Sequence, residues 1–121
     1  MKNKIIGIIG SRTRDDYKDW ELVHNKFLEI YKDDDWICSG GCKVGGDHFA
    51  FKLHLRYFIP YLEFPANWDK HGKAAGFIRN TDIAKVSHVL IACLDKENGK
   101  GTQDTINKFI QLHGEENLYI V

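Results

Sequence analysis

No run of apolar residues in this chain approaches the roughly 20 needed for a membrane-spanning helix, so no membrane partner is expected. Net charge is missing as well, because seventeen Lys and Arg face seventeen Asp and Glu. Electrostatic binding to nucleic acid or an anionic lipid surface needs a surplus of cations, which argues against a DNA-binding protein. Cysteine is scarce, at three residues, with no Cys-x-x-Cys pair. Cys38, Cys42 and His48 have neither metal-site spacing nor a fourth ligand, so no metal is expected. An odd number of thiols without an export signal points to a reducing compartment, the cytoplasm. Met1 to Lys4 ahead of Ile5-Ile6-Gly7-Ile8-Ile9 is basic and then apolar, but the run is short and no small-residue cleavage site follows, so it reads as a strand.

What is present is a repeated pattern in which a short apolar run ends on a glycine-led turn. Lys4 to Gly10 closes on Gly10-Ser11-Arg12. Trp36 to Ser39 closes on Gly40-Gly41, and Val86 to Leu94 leads through Asp95-Lys96-Glu97-Asn98 into Gly99-Lys100-Gly101-Thr102. Pro60 to Phe64 and Leu118 to Val121 read as two further strands, the first opening on a proline that an edge strand tolerates. Between them, apolar residues recur at helical spacing. Trp20, Val23, Phe27, Leu28 and Tyr31 form one set, with Asp15, Asp16 and Asp19 available to cap it. Phe49, Ala50, Leu53 and Tyr57 form a second, Phe77 to Lys85 supplies a third helix, and Ile106, Phe109 and Ile110 a fourth with Thr102 as its N-cap. Asp33-Asp34-Asp35 reads as a solvated turn. The stretch from Pro65 to Gly76 is the one long irregular segment.

Strand and helix alternate four times and a strand ends the chain, with no internal repeat and no linker. At 121 residues this makes a single α/β domain of Rossmann-like, three-layer type. Right-handed crossovers give a five-stranded parallel sheet in the order 3-2-1-4-5. In such a sheet the ligand crevice opens at the carboxyl ends of the strands where the winding reverses, here between the first and fourth. Gly10, Ser11 and Arg12, then Ser39, Gly40 and Gly41, then Gly99, Lys100, Gly101 and Thr102 would share that rim. Close-approaching amides, two hydroxyls and the cations Arg12, Lys73, Arg79 and Lys100 suit a phosphate-bearing ligand. Residues 36–85 carry seven bases against four acids, which favours the same region, whereas 12–35 carry eight acids against five bases.

Known phosphate motifs do not fit. The first turn, Gly7-Ile8-Ile9-Gly10-Ser11-Arg12, lacks the G-x-G-x-x-G of a dinucleotide site, and no acid ends the second strand. Gly99-Lys100-Gly101-Thr102 lacks the Lys-Ser or Lys-Thr pair of a P-loop, so neither a nicotinamide cofactor nor a P-loop nucleotide is expected. No serine or cysteine has a histidine and an acid arranged for nucleophilic catalysis.

Taken together, Gly10-Ser11-Arg12, Ser39-Gly40-Gly41, Gly45-Gly46-Asp47 with Ala50, Phe64-Pro65-Ala66 with Trp68, His71-Gly72-Lys73-Ala74-Ala75-Gly76, Arg79-Asn80 and Gly99-x-Gly101-Thr102-x-Asp104 resemble the YspA-like (cpYpsA-related) branch of the SLOG superfamily. The LOG phosphoribohydrolases and the DprA/Smf DNA-processing proteins are its relatives. The resemblance spans nearly the whole chain. It implies a nucleotide or phosphoribosyl ligand, a homodimer, and in some members cleavage of a base from a ribose phosphate. The LOG pattern P-G-G-x-G-T-x-x-E is only partly met, since Leu94 to Glu97 supplies no Pro-Gly and Asp104 comes one position before the glutamate and is one methylene shorter.

On that resemblance Arg79 and Asp104 are the catalytic candidates, the arginine neutralising charge and the acid orienting a ribose hydroxyl or water. Each also has a plain structural role to offer: Arg79 as a surface arginine paired with Asp82 or Asp69, Asp104 as a first-turn acid favouring the helix dipole. Trp68 either stacks on a base or packs on the protein's own edge. Asp47 either meets the ligand or caps the second helix, and Asn80, Lys73 and His71 complete the candidate set, His71 as a conceivable general acid. Cys38 and Cys93 end strands separated by the first strand, about 10 Å apart, too far for a disulfide. Trp20, Phe51, Tyr57 and Phe58 are expected to add to the apolar surface a homodimer would cover.

Overall fold

The computed structural model describes residues 3–121. Strands β1 (Ile5–Gly10), β2 (Trp36–Ser39), β3 (Tyr61–Glu63), β4 (Val89–Cys93) and β5 (Leu118–Ile120) form one parallel sheet in the order β3-β2-β1-β4-β5. Helices α1 (Tyr17–Ile30) and α2 (Gly46–Tyr57) cover one face, and α4 (Ala75–Val86) and α5 (Lys100–His113) the other. The short helix α3 (Trp68–His71) and a 3-10 turn (Gly72–Ala74) precede α4. Both faces of the sheet being covered, the central strands are apolar throughout and alternate between two cores. Ile6 and Ile8 of β1 join Ile91 and Cys93 of β4 beneath Phe27 and Leu53. Ile9, Leu90 and Ala92 point the other way onto Ile83, Ile106 and Phe109. Each fully buried Ile or Phe here contributes roughly 1.5–3 kcal/mol.

Register brings the carboxyl ends of the strands level. Gly10 pairs with Cys93 and Ser39 with Glu63. The winding reverses between β1 and β4 as the alternation predicts, which opens the crevice there. Cys38 and Cys93 enter opposite cores and, with Cys42, are free thiols.

Several local expectations need correction. Residues 65–76 are not irregular throughout: the Asn67 side chain accepts the Lys70 N–H at 3.1 Å and starts α3, and Gly72, at φ +56°, ends it and opens the 3-10 turn. The helix expected from Phe77 therefore begins at Ala75. Thr102 is not an N-cap, because α5 begins at Lys100 with Gly99 in the cap position. Asp47 does not cap α2, whose N-cap is Gly45, because its carboxyl is turned back toward β2. Among the acids ahead of α1, Asp16 is the cap, in a reciprocal pairing with Asp19. Leu28 is exposed, lying off the buried Trp20–Val23–Phe27 stripe, and Tyr57 is partly exposed at the end of α2. Trp20 is buried rather than surface-apolar, edge-on to Phe49 and beneath the Lys52 ammonium; Phe51 and Phe58 are exposed as expected. Among the described residues no helix is long and apolar enough to cross a membrane.

Candidate functional site

A cavity of about 570 Å³ lies at the carboxyl ends of β1 and β4. Its wall is assembled by close backbone approach. Gly45, at φ +75°, passes so near the Ser11 carbonyl that a β-carbon would come within 2.6 Å of it. The Gly45 N–H donates to Asp15 Oδ1 at 2.7 Å, fixing the turn into α2. On the other side Ser11 bonds through its own N–H to the Cys93 carbonyl (2.9 Å), and its Oγ accepts the Asp95 N–H (2.9 Å) and lies 3.4 Å from Thr102 Oγ1. Asp95 in turn accepts Thr13 Oγ1 at 2.6 Å and the Glu97 N–H at 3.0 Å, holding the polar hinge in a tight turn.

The α5 terminus faces this space with its first amides uncapped. Among the described residues no side chain accepts from Lys100, Gly101 or Thr102 N–H, and a β-carbon on Gly101 would meet open space. Such a terminus carries free donors and about half a positive charge. Arg79 enters from α4: its Nη1 donates to the Gly40 carbonyl at 2.9 Å and its Nε to Asn80 Oδ1 at 3.0 Å, while Nη2 makes no protein hydrogen bond among the described residues. Asn80 spends both amide hydrogens on α5, donating to the Gly101 carbonyl (3.2 Å) and to Asp104 Oδ2 (3.1 Å). The surface pairing of Arg79 with Asp82 or Asp69 is absent.

Asp47 lies under the cavity, 8% exposed. Its Oδ1 is 2.8 Å from Ser39 Oγ and its Oδ2 accepts the Cys42 N–H at 3.1 Å. Burial pushes its pKa up, and the contacts with Ser39, Cys42 and the Arg79 charge offset only part of that rise. Ser39 is itself fully buried and also lies 2.5 Å from the Ile8 carbonyl.

Of the residues singled out in the sequence, Gly10, Ser11, Arg12, Asp47, Arg79, Asn80, Gly99, Lys100, Gly101 and Thr102 line this one cavity. Ser39, Gly40 and Gly41 stand one layer behind it: a β-carbon at Gly40 would come 2.8 Å from Asp47 Oδ2, and one at Gly41 would meet Glu63. Trp68 lines a separate shallow depression with Pro65 to Asp69, half-exposed, and His71 and Lys73 line neither. Asp104 is not in the cavity wall. It lies beyond the first turn of α5 and forms a 2.8 Å ion pair with Lys108, so it is not a first-turn acid. Thr13, Cys42, Glu97, Asn98 and Thr105 line the cavity without having been singled out. The polar hinge of residues 95–98 was the signal for two of them, while Thr105 needed the true start of α5. Among the described residues no group of His, Cys, Asp and Glu could hold a metal ion.

No protein-family model matches the chain, and no curated protein does. Among solved structures, the molybdenum cofactor binding protein from the phototrophic bacterium Rippkaea orientalis matches with a TM-score of 0.74 at 17% sequence identity, covering 100% of this chain and 90% of that one. The likeness is one of fold. It extends the doubly wound α/β description over the whole chain and leaves residue roles to the geometry above.

Proposed function

We propose that the cavity at the carboxyl ends of β1 and β4 binds a nucleotide or other phosphoribosyl compound, its phosphate on the uncapped amides of Gly99–Thr102. The observation that carries this reading is convergence: the start of α5, Arg12 and the unsatisfied edge of Arg79 belong to one cavity. Anions are favoured at such a terminus, and a guanidinium with two fixed nitrogens and one free is pre-organised to meet one. The likeness of residues 64–80 and 99–104 to the SLOG pattern points the same way, and a cytoplasmic, homodimeric protein belongs to the same reading. A neighbour of this fold described as a molybdenum cofactor binding protein adds that cofactor to the ligands worth testing.

Binding is favoured over phosphoribohydrolase turnover because Asp104 Oδ2 is taken by Lys108 and Asn80, outside the cavity wall. A DNA-binding role has no support in the charge balance. Thermal shift with AMP, ADP-ribose, ATP, NAD and ribose 5-phosphate tests the proposal. At least one should raise the melting temperature, and Arg79→Lys, which cannot keep both fixed hydrogen bonds and a free donor edge, should weaken its binding about tenfold. A flat response across the panel overturns the reading. Release of free base from AMP on chromatography would instead make the protein a hydrolase.

A further inference from the structure

Ser39 has one hydroxyl hydrogen and two oxygens within reach of it. The Ile8 carbonyl lies 2.5 Å from Ser39 Oγ, and Asp47 Oδ1 lies 2.8 Å away on another side. A carbonyl can only accept, so it takes the hydroxyl hydrogen. The second short contact then requires a hydrogen from Asp47, since an ionised carboxylate facing the lone pairs of a fully buried hydroxyl oxygen would be repelled. Oδ2, which accepts the Cys42 N–H, is left as the carbonyl oxygen of the acid. With Asp47 ionised, the single Ser39 hydrogen would be shared between two acceptors; with the acid, each short contact has a hydrogen of its own.

We propose that Asp47 is a specificity-determining residue held as a neutral carboxylic acid, admitting an anion to the cavity that its carboxylate would exclude. The inference rests on the anion-binding reading of that cavity. The ligand class it selects is one bearing fixed negative charge, such as a pyrophosphate, and the protonated floor leaves Arg12, Arg79 and Lys100 opposed by Glu97 alone. Once Asp47 ionises, a second carboxylate joins Glu97.

The groups facing Asp47 do not mask this transition. The guanidinium that faces it from α4 is Arg79. Cys38 on β2 is pushed up to about 11 by burial, and Tyr61 on β3 is raised by burial and by Glu63. Glu63, behind Gly41, is shared by every variant below. Cys42 is removed from consideration by working in a Cys42→Ser background.

ADP-ribose is a suitable probe, because its pyrophosphate carries no group that titrates between mildly acidic and mildly alkaline buffer. Its affinity, measured by calorimetry across that range, should fall roughly tenfold as pH rises. Asp47→Asn, which can donate to Ser39 and accept from Cys42, should flatten the profile. A pH-independent wild-type affinity, or an unchanged slope in Asp47→Asn, overturns the proposal while leaving anion binding intact. If ADP-ribose does not bind, the functional reading is decided by the rest of the panel, and carbon-13 NMR of aspartate carboxyls still decides this point. One carboxyl absent from Asp47→Asn should titrate above all others, and its titrating with the rest overturns the proposal.

Discussion

Gly46 rests on the peptide that joins Ile9 to Gly10, so closely that a β-carbon there would overlap the Ile9 carbonyl and the Gly10 nitrogen. The start of α2 is thereby seated on the end of β1, and the Ser39–Asp47 contact depends on that seat. Backbone cannot move aside as a flexible side chain can. Gly46→Ala should cost about 3 kcal/mol in urea denaturation. A loss under about 1 kcal/mol would mean that α2 can lift off β1 freely, and the described packing would be wrong.

Gly101 offers the opposite case. It sits inside α5, and a β-carbon there meets nothing within 4 Å. Gly101→Ala should therefore stabilise the fold by about 0.5–1 kcal/mol, as helix propensity dictates. The added methyl stands at the uncapped amides, so affinity for the ligand should drop about tenfold, equivalent to roughly 1.4 kcal/mol. Calorimetry and denaturation on the same sample check both signs. A variant that gains stability and binds as well as wild type would move the phosphate away from α5.

The thiols should separate by reactivity. Cys38 and Cys93 have no solvent exposure, and burial pushes both up to about 11, whereas Cys42 is partly exposed at the cavity. A thiolate-specific reagent at mildly alkaline pH should label Cys42 alone in the native state, and ADP-ribose should slow the labelling. Labelling of all three at one rate would indicate that the fold opens faster than the reagent reacts.

Acid should unfold the protein partly through Asp35. Burial pushes this carboxyl up, but the Lys4 ammonium and the backbone N–H groups of Lys4 and Lys32 more than reverse that, leaving its pKa below the ordinary value. A depressed folded-state pKa means that the stabilisation is complete above the ordinary carboxylate range and is lost as pH falls through the lowered value. Asp35→Asn should cost about 2 kcal/mol at neutral pH and flatten the acid limb of the stability profile. Parallel acid limbs for variant and wild type would show that the Lys4–Asp35 contact contributes nothing.

The sheet was legible because each central strand is an unbroken apolar run, and buried parallel strands have no polar face to obscure the reading. The glycine turns were legible for the same reason, as each follows such a run. Sequence reading failed where one side chain chose between two local partners. Asp47 had the composition of a helix cap, but a buried serine on β2 competed for it and won. Thr102 had the right residue type to cap α5, yet the helix starts three residues earlier because Gly99 takes the cap position without a side chain. That shift leaves Asp104 beyond the first turn, where it pairs with Lys108 and lies outside the cavity wall. Between Pro65 and Gly76 the one proline and two glycines read as punctuation, whereas Asn67 starts a helical turn there that periodicity is too short to reveal.

Asn80 couples α4 to α5 more tightly than helix packing alone would. Its oxygen steadies Arg79 while both its amide hydrogens grip the opening of α5. A ligand anchored at either helix is thus felt by the other as a change in rigidity, and hydrogen exchange should slow along α4 even where no atom of the ligand reaches.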